Sequence, residues 1–128
     1  MKTLLSLLIL VATSTLAFGQ EKLDKLFAET TPEERARYQT ERMKEKLSLR
    51  QEQEEPVYTV NLAYAKKLEL AHAQGGGRLQ RLKRMKSVSE EKDAKLKQVL
   101  DSNQYNRYEQ MKEELRESMR ERVKDKRD

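Results

Sequence analysis

From Thr31 onward the apolar positions recur at helical spacing, and no stretch alternates in the manner of a strand. Thr31 offers a hydroxyl to cap free amides, Pro32 suits a first turn, and Glu33 and Glu34 favour the positive end of the helix dipole. A helix should therefore begin there, with Ala36, Thr40, Met43 and Leu47 on one narrow face. After a break near residues 49–53, a second helix is expected with Pro56 in its first turn and Val57, Val60, Tyr64, Leu68 and Ala71 as its stripe. It should end by Gln74, because Gly75, Gly76 and Gly77 tolerate the left-handed conformations that let the chain reverse. A third helix over residues 78–98 carries Leu79, Leu82, Leu96 and Val99. Ser87 with Glu90 three residues on forms a possible capping box, so this segment either continues or restarts there. The fourth helix starts from Asp101 as cap, with Gln104 reaching back, and its stripe is Tyr108, Met111, Leu115, Met119 and Val123.

The helical domain thus covers residues 31–124, with 125–128 as a frayed tail. Residues 20–30 contain only Leu23, Leu26 and Phe27 as large apolar groups, which predicts a flexible arm or a single amphipathic turn. Residues 1–19 read as a secretory signal peptide: Lys2 gives a basic head, residues 4–16 are almost wholly apolar, and Ala17 and Gly19 are small where a signal peptidase inspects. The run is short of the 20 or so apolar residues of a stable membrane helix, so cleavage before Gln20 and export to the periplasm are expected, without lasting membrane insertion. The chain has no cysteine, hence neither a lipid attachment site nor disulfides.

Composition sharpens the fold class. Without the leader, 109 residues carry 26 basic and 22 acidic side chains, a mixed surface with a net charge of +4. They contain 12 Leu, 5 Val, 1 Phe and no Ile, about one residue in six, too few for a thick globular core. An all-α fold follows: a thin four-helix protomer with a narrow apolar seam, completed by dimerisation.

Sliding the chain by 51 residues reveals an internal repeat. Leu49-Arg50-Gln51-Glu52-Gln53 falls on Leu100-Asp101-Ser102-Asn103-Gln104, and Val57, Val60, Tyr64 and Leu68 fall on Tyr108, Met111, Leu115 and Met119. Two helix-turn-helix halves share one pattern, in which Leu closes one helix, the next residue caps the following one, and Gln returns a hydrogen bond. These turns resemble the twice-occurring Leu-Thr-x-x-Gln signature of the Spy/CpxP family of periplasmic helical proteins. Leu49, Gln53, Leu100 and Gln104 match it, while the capping Thr is replaced by Arg50 and Asp101. Asp101 preserves the cap and Arg50 does not; Ser48, with Gln51 three residues later, offers an alternative one turn earlier. The resemblance implies a curved, usually dimeric protomer acting as an ATP-independent chaperone or envelope-stress accessory protein.

Candidate chemistry is sparse. His72 is the sole histidine, so no Cys/His nucleophile pair or His/Cys zinc cage can be assembled within one chain, and it is expected to be partly solvated at a helix C-terminus. Ser89 and Lys92 match a Ser-x-x-Lys string without the further motifs or scaffold of penicillin-recognising enzymes. No catalytic residue, cofactor or metal site is expected, and no nucleic-acid module is recognised. One strip stands out: Arg78, Arg81, Lys83, Arg84 and Lys86, with no acid among them, beside Leu79, Leu82 and Met85. It reads either as a solvated helix face or as a docking surface for partly unfolded polypeptide. Tyr58, Tyr64, Tyr105, Tyr108, Met85, Met111 and Met119 read as seam residues or as adaptable contacts. The expected function is shielding of partly unfolded envelope proteins. The rival is a regulatory or metal-stress accessory protein binding one sensor partner.

Overall fold

A computed structural model describes residues 20–125, and these are all-helical. The expected signal peptide and residues 126–128 of the expected tail lie outside the described residues. Five helices follow in order: α1 (Gln20–Glu29), α2 (Pro32–Leu47), α3 (Gln51–Ala73), α4 (Arg78–Val99) and α5 (Ser102–Asp125). Helix α1 corrects the expectation of an arm or a single turn. Its Leu23 and Leu26 are buried against Leu68, Ala71 and Met85, so tertiary burial stabilises a helix whose local pattern is weak.

Helix α2 begins as its sequence dictates, with the Glu34 amide donating to Thr31 Oγ1 at 3.1 Å, and it buries Ala36, Thr40, Met43 and Leu47 on one face. It stops at Ser48, whose left-handed backbone (φ 51°) turns the chain while its N–H still bonds Lys44 O. Helix α3 starts at Gln51, which moves Pro56 out of the expected first turn into the second. The missing proline N–H there costs a single bond near the helix start, so the helix tolerates it. Glycine enters where it is needed: Gly76 has φ +108°, and a Cβ there would run into Gln80 Oε1. Helix α4 then runs unbroken through Ser87 and Ser89, the latter buried. The serines form no stop because neither Gly nor Pro follows and Met85, Val88 and Ser89 stay packed on the inner face.

Two apolar clusters sit at opposite ends of the bundle. Met43, Leu47, Leu49, Val57, Leu96, Leu100, Tyr108 and Met111 fill the end where the α2–α3 and α4–α5 turns meet. Leu23, Leu26, Leu68, Ala71 and Met85 fill the end nearer the α3–α4 hairpin, and Tyr38 packs against both. The tyrosines and methionines singled out above are buried or half-buried; Tyr105, Tyr108 and Met111 pack in the first cluster and Met85 in the second.

Candidate functional site: paired turns and a basic hairpin

The two repeated turns lie against each other. Gln53 Nε2 donates to Gln104 Oε1 at 2.8 Å, and Gln104 Nε2 donates to Gln53 Oε1 at 2.9 Å. Each carboxamide oxygen also accepts the backbone amide at the head of its own helix, from Arg50 at 2.9 Å and from Asp101 at 3.0 Å. The second amide hydrogens go to carbonyls across the turns: Gln53 to Val99 at 3.1 Å and Gln104 to Ser48 at 3.5 Å. Both glutamines are buried with their whole donor and acceptor capacity used, which is why glutamine rather than glutamate or leucine suits the position. Arg50 and Asp101, also 51 residues apart, meet at 3.4 Å. Leu49 and Leu100 share one cluster.

The two caps differ as their side chains require. Asp101 Oδ1 accepts from the Gln104 amide at 2.8 Å, completing a reciprocal box. Arg50 has no acceptor to offer, so only the Gln53 half of the box forms, and its guanidinium turns to Glu52 at 2.8 Å. Ser48 belongs to the end of α2 and does not cap α3.

The basic strip occupies the first turns of α4 and divides by role. Arg78, Leu79, Lys83 and Lys86 are exposed, whereas Arg81, Leu82 and Arg84 are half-buried. Met85 is only 1% exposed and belongs to the core, which corrects its reading as a contact for outside partners. Arg84 is likewise committed: it donates to the carbonyls of Ala71 (3.2 Å), Gln74 (2.8 Å) and Gly75 (3.0 Å), closing the C-terminus of α3 where acceptors are left unpaired. The structure adds a residue the sequence reading missed. Leu70 is 64% exposed, close to the 66% of Leu79, and both lie within about one turn of the hairpin loop. Two residues past Leu68 means about 200° around the helix, so its outward position was legible from spacing alone.

Charge around this hairpin is unbalanced. Residues 70–89 contain no Asp or Glu. Elsewhere cations find acids: Arg35 with Glu69, Lys44 with Glu54, Lys66 with Glu33, Lys67 with Glu91, Lys112 with Asp93. On the strip, Lys86 reaches Glu90 at 3.9 Å, while Arg78, Arg81 and Lys83 reach no acid among the described residues.

His72 departs from expectation. It is 7% exposed, its Nε2 lies 2.5 Å from Asp24 Oδ1, and its ring packs on Phe27 at 5.0 Å. The extra helix α1 covers what the sequence left at a solvated helix end. Ser89 and Lys92 are both buried; Lys92 Nζ donates to Gln39 Oε1 at 2.9 Å and not to a nucleophile. Burial lowers the Lys92 ammonium to a pKa of about 8, opposed by nearby Asp93 and assisted by Lys112. Burial raises the Tyr108 phenol well above its ordinary value, and it raises Tyr105 to about 12.

These shifts predict a stability maximum in mild base. Between pH 8 and 10 the unfolded chain keeps a proton on Lys92 that the folded chain has released, so stability rises with pH, by at most about 3 kcal/mol. Above pH 10 the unfolded tyrosines ionise while the folded ones stay protonated, and stability falls. Lys92→Met should flatten the rise, because the group whose proton affinity differs between the folded and unfolded chain is gone. Urea titrations at pH 7, 8, 9 and 10 check this; an unchanged rise in Lys92→Met would refute it.

Among the described residues no helix is long and apolar enough to cross a membrane. No curated protein and no solved structure matches the chain. Residues 19–108 match the family model described as Domain of unknown function (DUF4890), so the chain belongs to that family.

Proposed function

We propose that this protein is an exported, non-enzymatic, ATP-independent holder of partly unfolded envelope proteins, akin to the Spy/CpxP proteins its turns resemble. The observation that carries the reading is the α3–α4 hairpin: cations without acidic partners beside the exposed Leu70 and Leu79. Unpaired cations attract a client at long range, and exposed leucines then cover its apolar segments, with no nucleotide needed for release. In this reading α2–α3 and α4–α5 are duplicated halves clamped by Gln53 and Gln104, and a second copy completes the thin protomer as a dimer. The leader delivers the chain to the periplasm and is removed before Gln20.

The purified protein should delay aggregation of several unrelated unfolded proteins without ATP. Replacing Arg78, Lys83 and Lys86 by Glu should slow capture on the order of tenfold at low salt, and less at physiological ionic strength, where screening acts over about 8 to 10 Å. Leu70→Ser with Leu79→Ser should weaken holding at every salt concentration, with helicity unchanged because both side chains are exposed. Tight one-to-one binding to a sensor domain, with no delay for any client, would replace this reading by that of a specific regulator.

A further inference from the structure

Charge and exposed apolar surface coincide at one end of the molecule. Residues 70–89 carry five Lys and Arg and no acid, whereas all residues from Gln20 onward together net +4, so everything outside this stretch nets −1. Leu70 and Leu79, the large apolar side chains left mostly exposed among the described residues, flank the same loop. Helical geometry sets them on different sides of it: Leu70 is about 200° around α3 from the buried Leu68, and Leu79 is about 140° around α4 from Arg84, which reaches across to α3. A flat surface pressed on the tip meets both. The tip itself, residues 73–77, has no charged side chain, and the Cβ positions of Gly75 and Gly77 face open space. Two further features suit this end to be covered. Arg84 fills the carbonyls of Ala71, Gln74 and Gly75, so the loop backbone gives up fewer water-bound acceptors on leaving water. Helix α4 opens with Arg78 and Arg81 and has no acid in its first turn, an order that opposes the helix dipole and that a negative surface offsets. The groove lined by Pro56, Val60 and Val99 lies at the far end of α3 and α4, so the hairpin presents a convex end and not this concave one.

We propose that the α3–α4 hairpin docks on the surface of an anionic phospholipid bilayer. Leu70 and Leu79 enter the interface on either side of the loop. Arg78 and Lys83, which reach no acid among the described residues, meet headgroup phosphates together with Lys86, whose exposed contact with Glu90 is a loose 3.9 Å. The docking is peripheral and reversible, because two leucines bury little apolar surface and no described helix is long and apolar enough to span the bilayer. This inference goes beyond the holding function and does not rest on it. Lipid and client use the same side chains, so each excludes the other from the hairpin.

The native chain lacks tryptophan, so a single introduced indole reports its own surroundings. Leu79→Trp and, at the opposite end of the bundle, Asn106→Trp are each mixed with vesicles of phosphatidylglycerol and phosphatidylethanolamine in equal parts, or of phosphatidylcholine alone. The indole at position 79 should shift its emission to the blue with the anionic vesicles only, and the indole at position 106 with neither. The unmodified protein should co-sediment with the anionic vesicles on the order of tenfold more strongly than with the neutral ones, and the preference should shrink as salt rises. Arg78→Glu with Lys83→Glu and Lys86→Glu should abolish that preference, with circular dichroism unchanged because all three side chains are exposed. Saturating anionic vesicles should also displace clients from the hairpin. Equal binding to both kinds of vesicle, a shift of equal size at position 106, or clients undisplaced by saturating vesicles overturns the proposal. No vesicle binding by a chain that still delays client aggregation also overturns it and leaves the hairpin a polypeptide surface alone. Vesicle binding as expected, with no delay for any client, upholds the docking and overturns the holding function.

Discussion

Gln104→Leu should destabilise the protein by roughly 2 to 5 kcal/mol, read as a fall in the urea midpoint with little change in slope. The leucine fills a similar volume, so the loss is polar. The Gln53 amide that donated to Gln104 Oε1 at 2.8 Å is left in the core without an acceptor, and the Asp101 amide loses its acceptor at 3.0 Å. An orphaned buried donor costs about 1 to 3 kcal/mol, more than the net worth of the bond it made. This asymmetry yields a sharper test. In the double variant Gln53→Leu with Gln104→Leu, the facing amides disappear together, so its cost should fall well short of the sum of the two single variants. Additive costs would mean that the glutamines act independently and that the reciprocal pair is not the clamp.

Leu96→Ala should be comparably damaging, at about 2 to 5 kcal/mol. Leu96 is fully buried in the cluster beneath the paired turns, among residues from α2, α3 and α5, so truncation leaves a cavity that several helices would have to move to close. Leu115 lies in the α5 stripe but is only half-buried, at the edge of the same cluster. Leu115→Ala should cost no more than about half as much, because less surface returns to water and solvent fills part of the void. Equal losses in the two variants would contradict this placement of the core.

Much of the architecture is legible where local chemistry and tertiary packing agree. Thr31 and Pro32 start α2, the glycine triplet separates α3 from α4, and the stripe through Ala36, Thr40, Met43 and Leu47 is the buried face. The 51-residue spacing marks the motif positions, and the structure brings Gln53 to Gln104 and Arg50 to Asp101. What escaped depends on contacts between distant segments. Helix α1 is written weakly because it exists through burial against Leu68 and Met85, 40 to 60 residues downstream. Its docking converts His72 from the partly solvated helix end expected of it to a buried partner of Asp24. Met85 and Arg84 look like members of a uniform strip, since a run of five cations hides which ones face carbonyls at a neighbouring helix end. Leu70 is masked in the sequence by its closeness to Leu68, although helical geometry puts the two on opposite sides.

Site-specific photocrosslinking tests the central claim most directly. A benzophenone side chain placed singly at position 70, 79 or 106 would be illuminated in the presence of unfolded clients without ATP. Leu70 and Leu79 flank the basic hairpin, whereas Asn106 is an exposed residue of α5 at the opposite end of the bundle. The account predicts adducts with several unrelated clients at positions 70 and 79, reduced when Arg78, Lys83 and Lys86 are replaced by Glu, and few at position 106. Equal adducts at all three positions, or none at 70 and 79 while aggregation is still suppressed, would contradict it.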